Sequence, residues 1–392
     1  MILNKNSYQL TNSQLHFLSG EKGVYLSALF RSLGMYLVTV FIPLYVYHLT
    51  GQLDQAFFFY GWAHLFVLLT LWPAGWLTRQ IGVDWTVLIG SFFRGLFLYF
   101  LILAANDYLY LYLAAGLWGA AVSFYWLPFH YTVVGTEEED GLFGKETSMI
   151  MIFYKLTASL GPLIGGFLAG RLGFDWLYRV AILFVILGGL PMFFDCFRRR
   201  GMGFEFQSIK QGLFKRENRS FILAFAGAGF KDVILGVAWP LFIFLIVGRY
   251  ETVGLIQGLS LFLSVIFLWR LGRWIDKRGI KVLRLGIVLN NVIWLIRAFL
   301  VTPAAVIFSN IIYDLGNLLI FTPFDAFFYQ CTLAKRKLEF IAIREIAIHS
   351  GGLIGCLLVW QLLDRGIGWF WIFSLAVIGL FLVSLILREV RE

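Results

Sequence analysis

Charge is scarce in this chain of 392 residues. Charged side chains make up 14%, against about a quarter in soluble globular proteins, and 60% of residues are hydrophobic. That balance excludes a water-soluble domain and makes lipid the solvent for most of the chain. Cysteine is also rare. Cys196, Cys331 and Cys356 have no metal or redox spacing, so neither a disulfide framework nor thiol chemistry is expected. There is no phosphate-cradling glycine loop, no zinc motif and no appended soluble domain, and the scattered His and Asp residues form no catalytic set. The expectation is a protein that is not an enzyme and needs no cofactor or metal. No short apolar core followed by a small-residue cleavage site opens the chain. The first apolar run, 24–47, is long enough to stay in a bilayer as an anchor.

What remains is a series of apolar runs. A spanning helix needs roughly 20 apolar residues, and polar breaks divide the chain into spans near 22–48, 54–78, 85–104, 108–135, 145–170, 176–197, 219–247, 252–272, 281–301, 304–333, 339–363 and 367–388. The runs are continuous and do not alternate, which excludes a membrane β-barrel. A basic stretch at 198–219 carries Arg198, Arg199, Arg200, Lys210, Lys215, Arg216 and Arg219 and reads as a linker. The net charge of +9 is explained by position, so no nucleic-acid partner is expected. About 22 Lys and Arg fall on the side holding both termini and the linker, against about 4 opposite (Arg171, Arg179, Arg249, Arg365). The positive-inside rule then puts both termini in the cytoplasm, in a bacterial inner membrane.

The two halves repeat. Pro43 and Gly51 recur as Pro240 and Gly248, and Gly75 and Gly82 as Gly272 and Gly279, all at an offset of 197. Pro128 matches Pro323 and Gly165 matches Gly355 at slightly smaller offsets. The same order across four helix pairs points to a six-plus-six duplication. The expected fold is an all-α integral membrane protein with twelve transmembrane helices in two pseudo-symmetric bundles. Residues 1–197 form the first, 198–218 the cytoplasmic linker and 219–392 the second.

Between the eighth and ninth spans, Gly272, Asp276, Lys277, Arg278, Gly279 and Lys281 fit the loop signature of the major facilitator superfamily, and the chain resembles that family over essentially its whole length. The resemblance implies that Asp276 serves the fifth-span partner and steadies one state of a transport cycle. The first-half counterpart keeps Gly75 and Gly82 but has Arg79 where an acid is expected, so this latch is missing there. Gly161, Pro162, Gly165 and Gly166 on the fifth span are similar to a signature of the drug:proton antiporter branch. The arginine that this branch carries in its fourth span is absent; Ala114 and Ala115 stand in that region.

An ionisable group at bilayer depth costs at least ~2.5 kcal/mol and so usually faces a cavity or a partner. Arg31, Arg94, Lys155, Asp232, His64 and Asp314 lie roughly 15–20 Å deep at 1.5 Å per residue. In the resembled family the first, fourth, seventh and tenth helices line the cavity, which makes Arg31, Lys231, Asp232 and Asp314 the leading substrate or proton candidates. Asp232 is either a proton carrier or the partner of Arg31 or Lys231 in a structural ion pair. Lys155 and Glu345 face each other in the repeat alignment and are also candidates. Arg94 and Arg297 read as packing or snorkelling residues. His64, His130 and His349 read as hydrogen-bonding groups, since no ligand spacing joins them.

The loop Glu137, Glu138, Glu139, Asp140 aligns at the same offset with Lys335, Arg336 and Lys337, of opposite charge. Such loops would attract across the cytoplasmic mouth and hold it shut. The 41 Phe and 14 Trp mostly face lipid, and those lining a cavity would suit an amphipathic or lipophilic molecule. The function expected is proton-coupled export of such a molecule by a monomer working through alternating access. Transport of an anionic metabolite or lipid, and membrane sensing without transport, remain alternatives.

Overall fold

The computed structural model describes the backbone of residues 21–140, 143–194, 205–278, 280–334 and 337–389. Side chains are described over 26–130, 155–190, 205–264, 282–325 and 339–387, and at 266, 328 and 332. Among these residues the chain is helical throughout. In order the helices are α1 (Glu21–Tyr36), α2 (Phe41–Thr50), α3 (Leu53–Ile81), α4 (Val83–Leu103), α5 (Leu109–Asp140), α6 (Phe143–Arg171), α7 (Phe174–Phe194), α8 (Phe206–Phe214), α9 (Arg219–Val233), α10 (Trp239–Val247), α11 (Tyr250–Arg278), α12 (Ile280–Arg297), α13 (Pro303–Ala334), α14 (Lys337–Asp364), α15 (Trp369–Val383) and α16 (Ile386–Glu389). Stretches in seven of the spans are long and apolar enough on their own to cross a bilayer.

These helices make twelve membrane-crossing rods, because two pairs stack end to end. The expected first span, 22–48, is broken by a turn at 37–40 between α1 and α2. The expected seventh, 219–247, is interrupted by a π-helical turn, Ile234–Ala238, between α9 and α10. These interruptions are 197 residues apart, the offset of the sequence repeat. The rods end alike too. Gly51 (φ 69°) and Gly248 (φ 66°) close α2 and α10 in the left-handed conformation that a Cβ penalises, and their N–H groups donate to the carbonyls of Tyr47 and Phe244 at 2.8 Å.

Packing repeats with the sequence. α1 lies on α7 and α6, as α9 lies on α15 and α14; α5 lies on α3 and α4, as α13 lies on α11 and α12. Lipid offers no hydrophobic drive for helices to associate, so close fit supplies it. Glycines provide that fit. A Cβ on Gly161 or Gly165 would strike the backbone of Tyr36 or Leu37, at the break after α1. On the opposite face of α6, Gly166 lies against Tyr250 and Gly254 of α11, and Gly254 against the Pro162 carbonyl. In the second half Gly351 of α14 meets the Ala226 carbonyl of α9, while Gly352 meets the ring of His64 on α3. Two seams therefore join the halves, α6 with α11 and α3 with α14. Large apolar side chains such as Phe92, Phe167, Phe299 and Phe308 project outward as a lipid-facing surface.

An even number of rods puts both termini on one side. On the other, distal side the halves are closed by rings. Tyr47 and Phe244, equivalent in the repeat, face each other with centroids 6.4 Å apart, and Tyr250 stacks on Phe244 at 4.8 Å. Tyr250 also reaches His48 Nδ1 with its hydroxyl at 3.4 Å, and Arg171 pairs with Glu251 at 3.4 Å.

Candidate functional site

Inside the second half, α9 carries two adjacent ionisable residues with opposite surroundings. Lys231 points between α13 and α15, where its Nζ lies 2.7 Å from Asp232 Oδ1, 3.3 Å from the Tyr313 hydroxyl and 3.4 Å from Asn317 Oδ1, and 4.4 Å from the centre of the Phe321 ring. Its side chain is 1% exposed, whereas that of Asp232 is 55% exposed. A helix turns consecutive residues about 100° apart, which is how the neighbours reach different faces. Asp325 of α13 is an electrostatic neighbour of Asp232, and Lys155 of α6 is one of both Asp325 and Asp314. Carboxylates and an ammonium from α6, α9 and α13 thus converge. Asp325 was not singled out from the sequence, although its depth in the tenth span was a usable signal.

Beside this group Arg297 is wholly enclosed. Its guanidinium lies 3.9, 4.4 and 4.3 Å from the ring centres of Trp239, Trp294 and Tyr313, and donates to Asn310 Oδ1 at 2.8 Å and Ser309 Oγ at 3.4 Å. The Trp239 indole donates to the same Asn310 oxygen at 2.6 Å. Of the two readings of Arg297, packing and snorkelling, packing is what the structure has: the end of α12 is roofed by α10 and α13, and ring faces, not water, receive the charge.

A second polar group bridges the halves at the α3–α14 seam. His64 Nδ1 lies 2.8 Å from His349 Nδ1, and His349 Nε2 lies 3.6 Å from Glu345 Oε2. Glu345 also pairs with Arg344, whose NH1 donates to His130 Nε2 of α5 at 3.2 Å. His130 is 3.9 Å from Glu345, and it stacks on Trp126 with centroids 5.4 Å apart. His64, His130, Glu345 and His349 are all buried. The histidines have no common spacing in sequence; only the meeting of α3, α5 and α14 brings them together.

Other candidates have these surroundings. Arg31 is 4% exposed and its guanidinium lies 3.2 Å above the Tyr125 ring, between α1 and α5. Lys155 has Asp314 and Asp325 as electrostatic neighbours, and Glu345 is held by its sequence neighbour Arg344. Arg94 is buried in α4. Asp314 is half-buried, with Ser264, Lys155, Lys231 and Arg297 as its neighbours.

Residues 24–211 match the family profile described as Major Facilitator Superfamily. Among solved structures, the POT family transporter PepTSo superposes with a TM-score of 0.74 at 11% identity, covering 94% of this chain and 97% of that one. The fucose:proton symporter FucP of E. coli superposes with a TM-score of 0.62 at 15% identity, again covering 94% and 97%. No curated protein matches the chain. The chain thus shares the fold of these two proteins over nearly its whole length, and its first half matches the Major Facilitator Superfamily profile.

The profile match and the long apolar helices make it an integral membrane protein. The first-half loop motif is built as its glycines require: Gly75 is buried within α3, and Gly82 takes φ 91° between α3 and α4. Of the second-half motif, Gly272, Asp276, Lys277 and Arg278 lie on α11 with side chains outside the described residues, and Gly279 lies outside them altogether. Lys335 and Arg336 are likewise outside, as are the side chains of Glu137, Glu138, Glu139, Asp140 and Lys337. The Gly161, Pro162, Gly165, Gly166 series makes the closest helix approaches of α6, to α1 on one face and to α11 on the other.

Proposed function

We propose that this protein is a secondary transporter of the major facilitator kind and that it exports an amphipathic small molecule carrying a cationic group, in exchange for protons. The observation that supports this is the asymmetry of the Lys231–Asp232 pair, with the ammonium sealed and the carboxylate open. A cation arriving from the open side and a proton both need the same carboxylate oxygens, so one displaces the other, which is the condition for exchange. The Phe321 ring beside the pair offers the apolar surface such a molecule would cover. In this reading Asp232 is the shared site, Lys231 positions it, and Lys155, Asp314 and Asp325 set the local field.

Residues 1–197 and 219–392 are the two rocking units, joined by the basic linker 198–218. Both termini face the cytoplasm of a bacterial inner membrane, and the protein works as a monomer. The aromatic closure around Tyr47, Phe244 and Tyr250 is then the outer gate.

The test uses everted vesicles with an acid interior, to which lipophilic cations, weak acids and lysolipids are added in turn. A cation should collapse the gradient only when the protein is present, and Asp232→Asn, at equal folded amounts, should abolish the effect. Collapse by weak acids or lysolipids alone would replace the cation by an anionic cargo. An undiminished response in Asp232→Asn removes that carboxylate from the exchange.

A further inference from the structure

The two seams between the halves are built from different chemistry. Where α6 meets α11 the contact is glycine against backbone: Gly166 on Gly254, Gly254 on the Pro162 carbonyl, Gly258 on the Ser159 carbonyl. Where α3 meets α14, the equivalent contact carries His64 against Gly352 and His349. A dry helix seam has no need of two imidazoles, and polar groups in such a place are costly unless they serve a purpose.

The geometry limits what the pair can hold. Two Nδ1 atoms at 2.8 Å share one proton, one ring donating and the other accepting. With His64 donating, His349 turns its Nε2–H toward Glu345. Both rings are then neutral. The charges around them are already balanced as well, since Glu345 carries one negative charge and Arg344, on the same helix, matches it. Among the described residues no acid other than Glu345 is in contact with either imidazole. From α5 come His130, whose Nε2 is occupied by Arg344, and the Trp118 ring edge; from α3 comes Tyr60, and from α14 Cys356. From α13, Asp325 lies within electrostatic reach of Arg344. A proton added to the pair would make an imidazolium without its own counter-charge in a site that excludes water. Such a charge is stabilised by parting the seam and letting water in.

We infer that His64 and His349 form a proton-binding site in the α3–α14 seam, separate from the Lys231–Asp232 site, and that binding a proton there parts the two halves along this seam. The proton adds to a ring nitrogen of the neutral pair, no bond between heavy atoms changes, and release restores the shared Nδ1–H···Nδ1 bond. The α6–α11 seam, where glycines lie on backbone and the exposed Arg171–Glu251 pair sits at the distal end, serves as the hinge. Within the exchange reading above, on which its role in transport rests, this site makes the outward opening depend on external protons.

The test measures distance and needs no substrate. Nitroxide labels are placed on the full chain in lipid nanodiscs at Gln52→Cys and Arg365→Cys, the exposed distal ends of α3 and α14, with native cysteines replaced by alanine. Pulsed electron resonance between pH 8 and 5 should show a longer-distance population growing as pH falls, by up to about tenfold per pH unit for one proton. His64→Gln and His349→Gln keep a hydrogen-bonding side chain but take up no proton, and each should hold the short distance at every pH. Either folded variant decides by itself. An absent acid response in the parent, or an unaltered response in a folded variant, overturns the inference. Acid-driven parting without proton–cargo exchange in vesicles sinks the exchange reading and keeps the site; exchange with a seam that ignores pH does the reverse.

Discussion

Lys231 and Asp232 are sequence neighbours joined at 2.7 Å, yet one side chain is sealed in the protein and the other is mostly open. Removing the open partner leaves an ammonium with only the Tyr313 hydroxyl and Asn317 to receive it. Asp232→Asn should therefore destabilise the protein by about 1–3 kcal/mol. Adding Lys231→Met should restore most of the loss, because a neutral, apolar replacement of a buried pair is often tolerated. Thermal melting in detergent checks both. A double variant less stable than Asp232→Asn would show that Lys231 is held mainly by its neutral neighbours.

Glycine positions differ sharply in what they allow. At Gly254 a methyl group would press on the Pro162 carbonyl, whereas at Gly95 nothing lies within 4 Å. Gly254→Ala should cost about 1–3 kcal/mol through overpacking, while Gly95→Ala should be neutral or stabilising by up to about 1 kcal/mol through helix propensity. Melting temperatures of the two variants in parallel would test this, and equal values would mean that the α6–α11 seam can spread freely.

Arg297 owes its place to planarity as well as charge. Arg297→Lys keeps the charge but loses stacking on Trp239, Trp294 and Tyr313 and the paired hydrogen bonds to Asn310 and Ser309. A loss of about 2 kcal/mol is expected, together with a red shift of tryptophan emission as water reaches the rings. Unchanged emission would argue that the ammonium fits the same box.

The loop charges give a prediction from sequence alone. Reversing Lys335, Arg336 and Lys337 to Glu would set like charges against Glu137, Glu138, Glu139 and Asp140, shifting the population toward the inward-facing state. Labelling of a cavity cysteine from the cytoplasmic side should speed up, most at low salt. Labelling at the parent rate refutes the latch.

Much of the architecture was legible in the chain. The offset that aligns Pro43 with Pro240 also aligns the break at 37–40 with the π turn at Ile234–Ala238 and the cap of Gly51 with that of Gly248. The breaks themselves were not read, because apolar residues continue through them and hydropathy is blind to backbone geometry. The site was read in part. Depth along the spans picked out Lys231, Asp232, Lys155 and Asp314, which do converge, but it gave no direction around the helix. It therefore could not say that Arg31 and Arg297 meet aromatic rings, and Asp325 was passed over.

What the sequence alone determined is what lipid enforces. A chain this apolar and this poor in charge must close its backbone hydrogen bonds within helices, and polar breaks count the spans. What only the tertiary structure decided is which faces meet. His64, His130 and His349 are unrelated along the chain and become one buried group because glycines let α3, α5 and α14 approach. Lys231 and Asp232 look alike along the chain and differ because a single 100° step turns one into the protein and the other to open space.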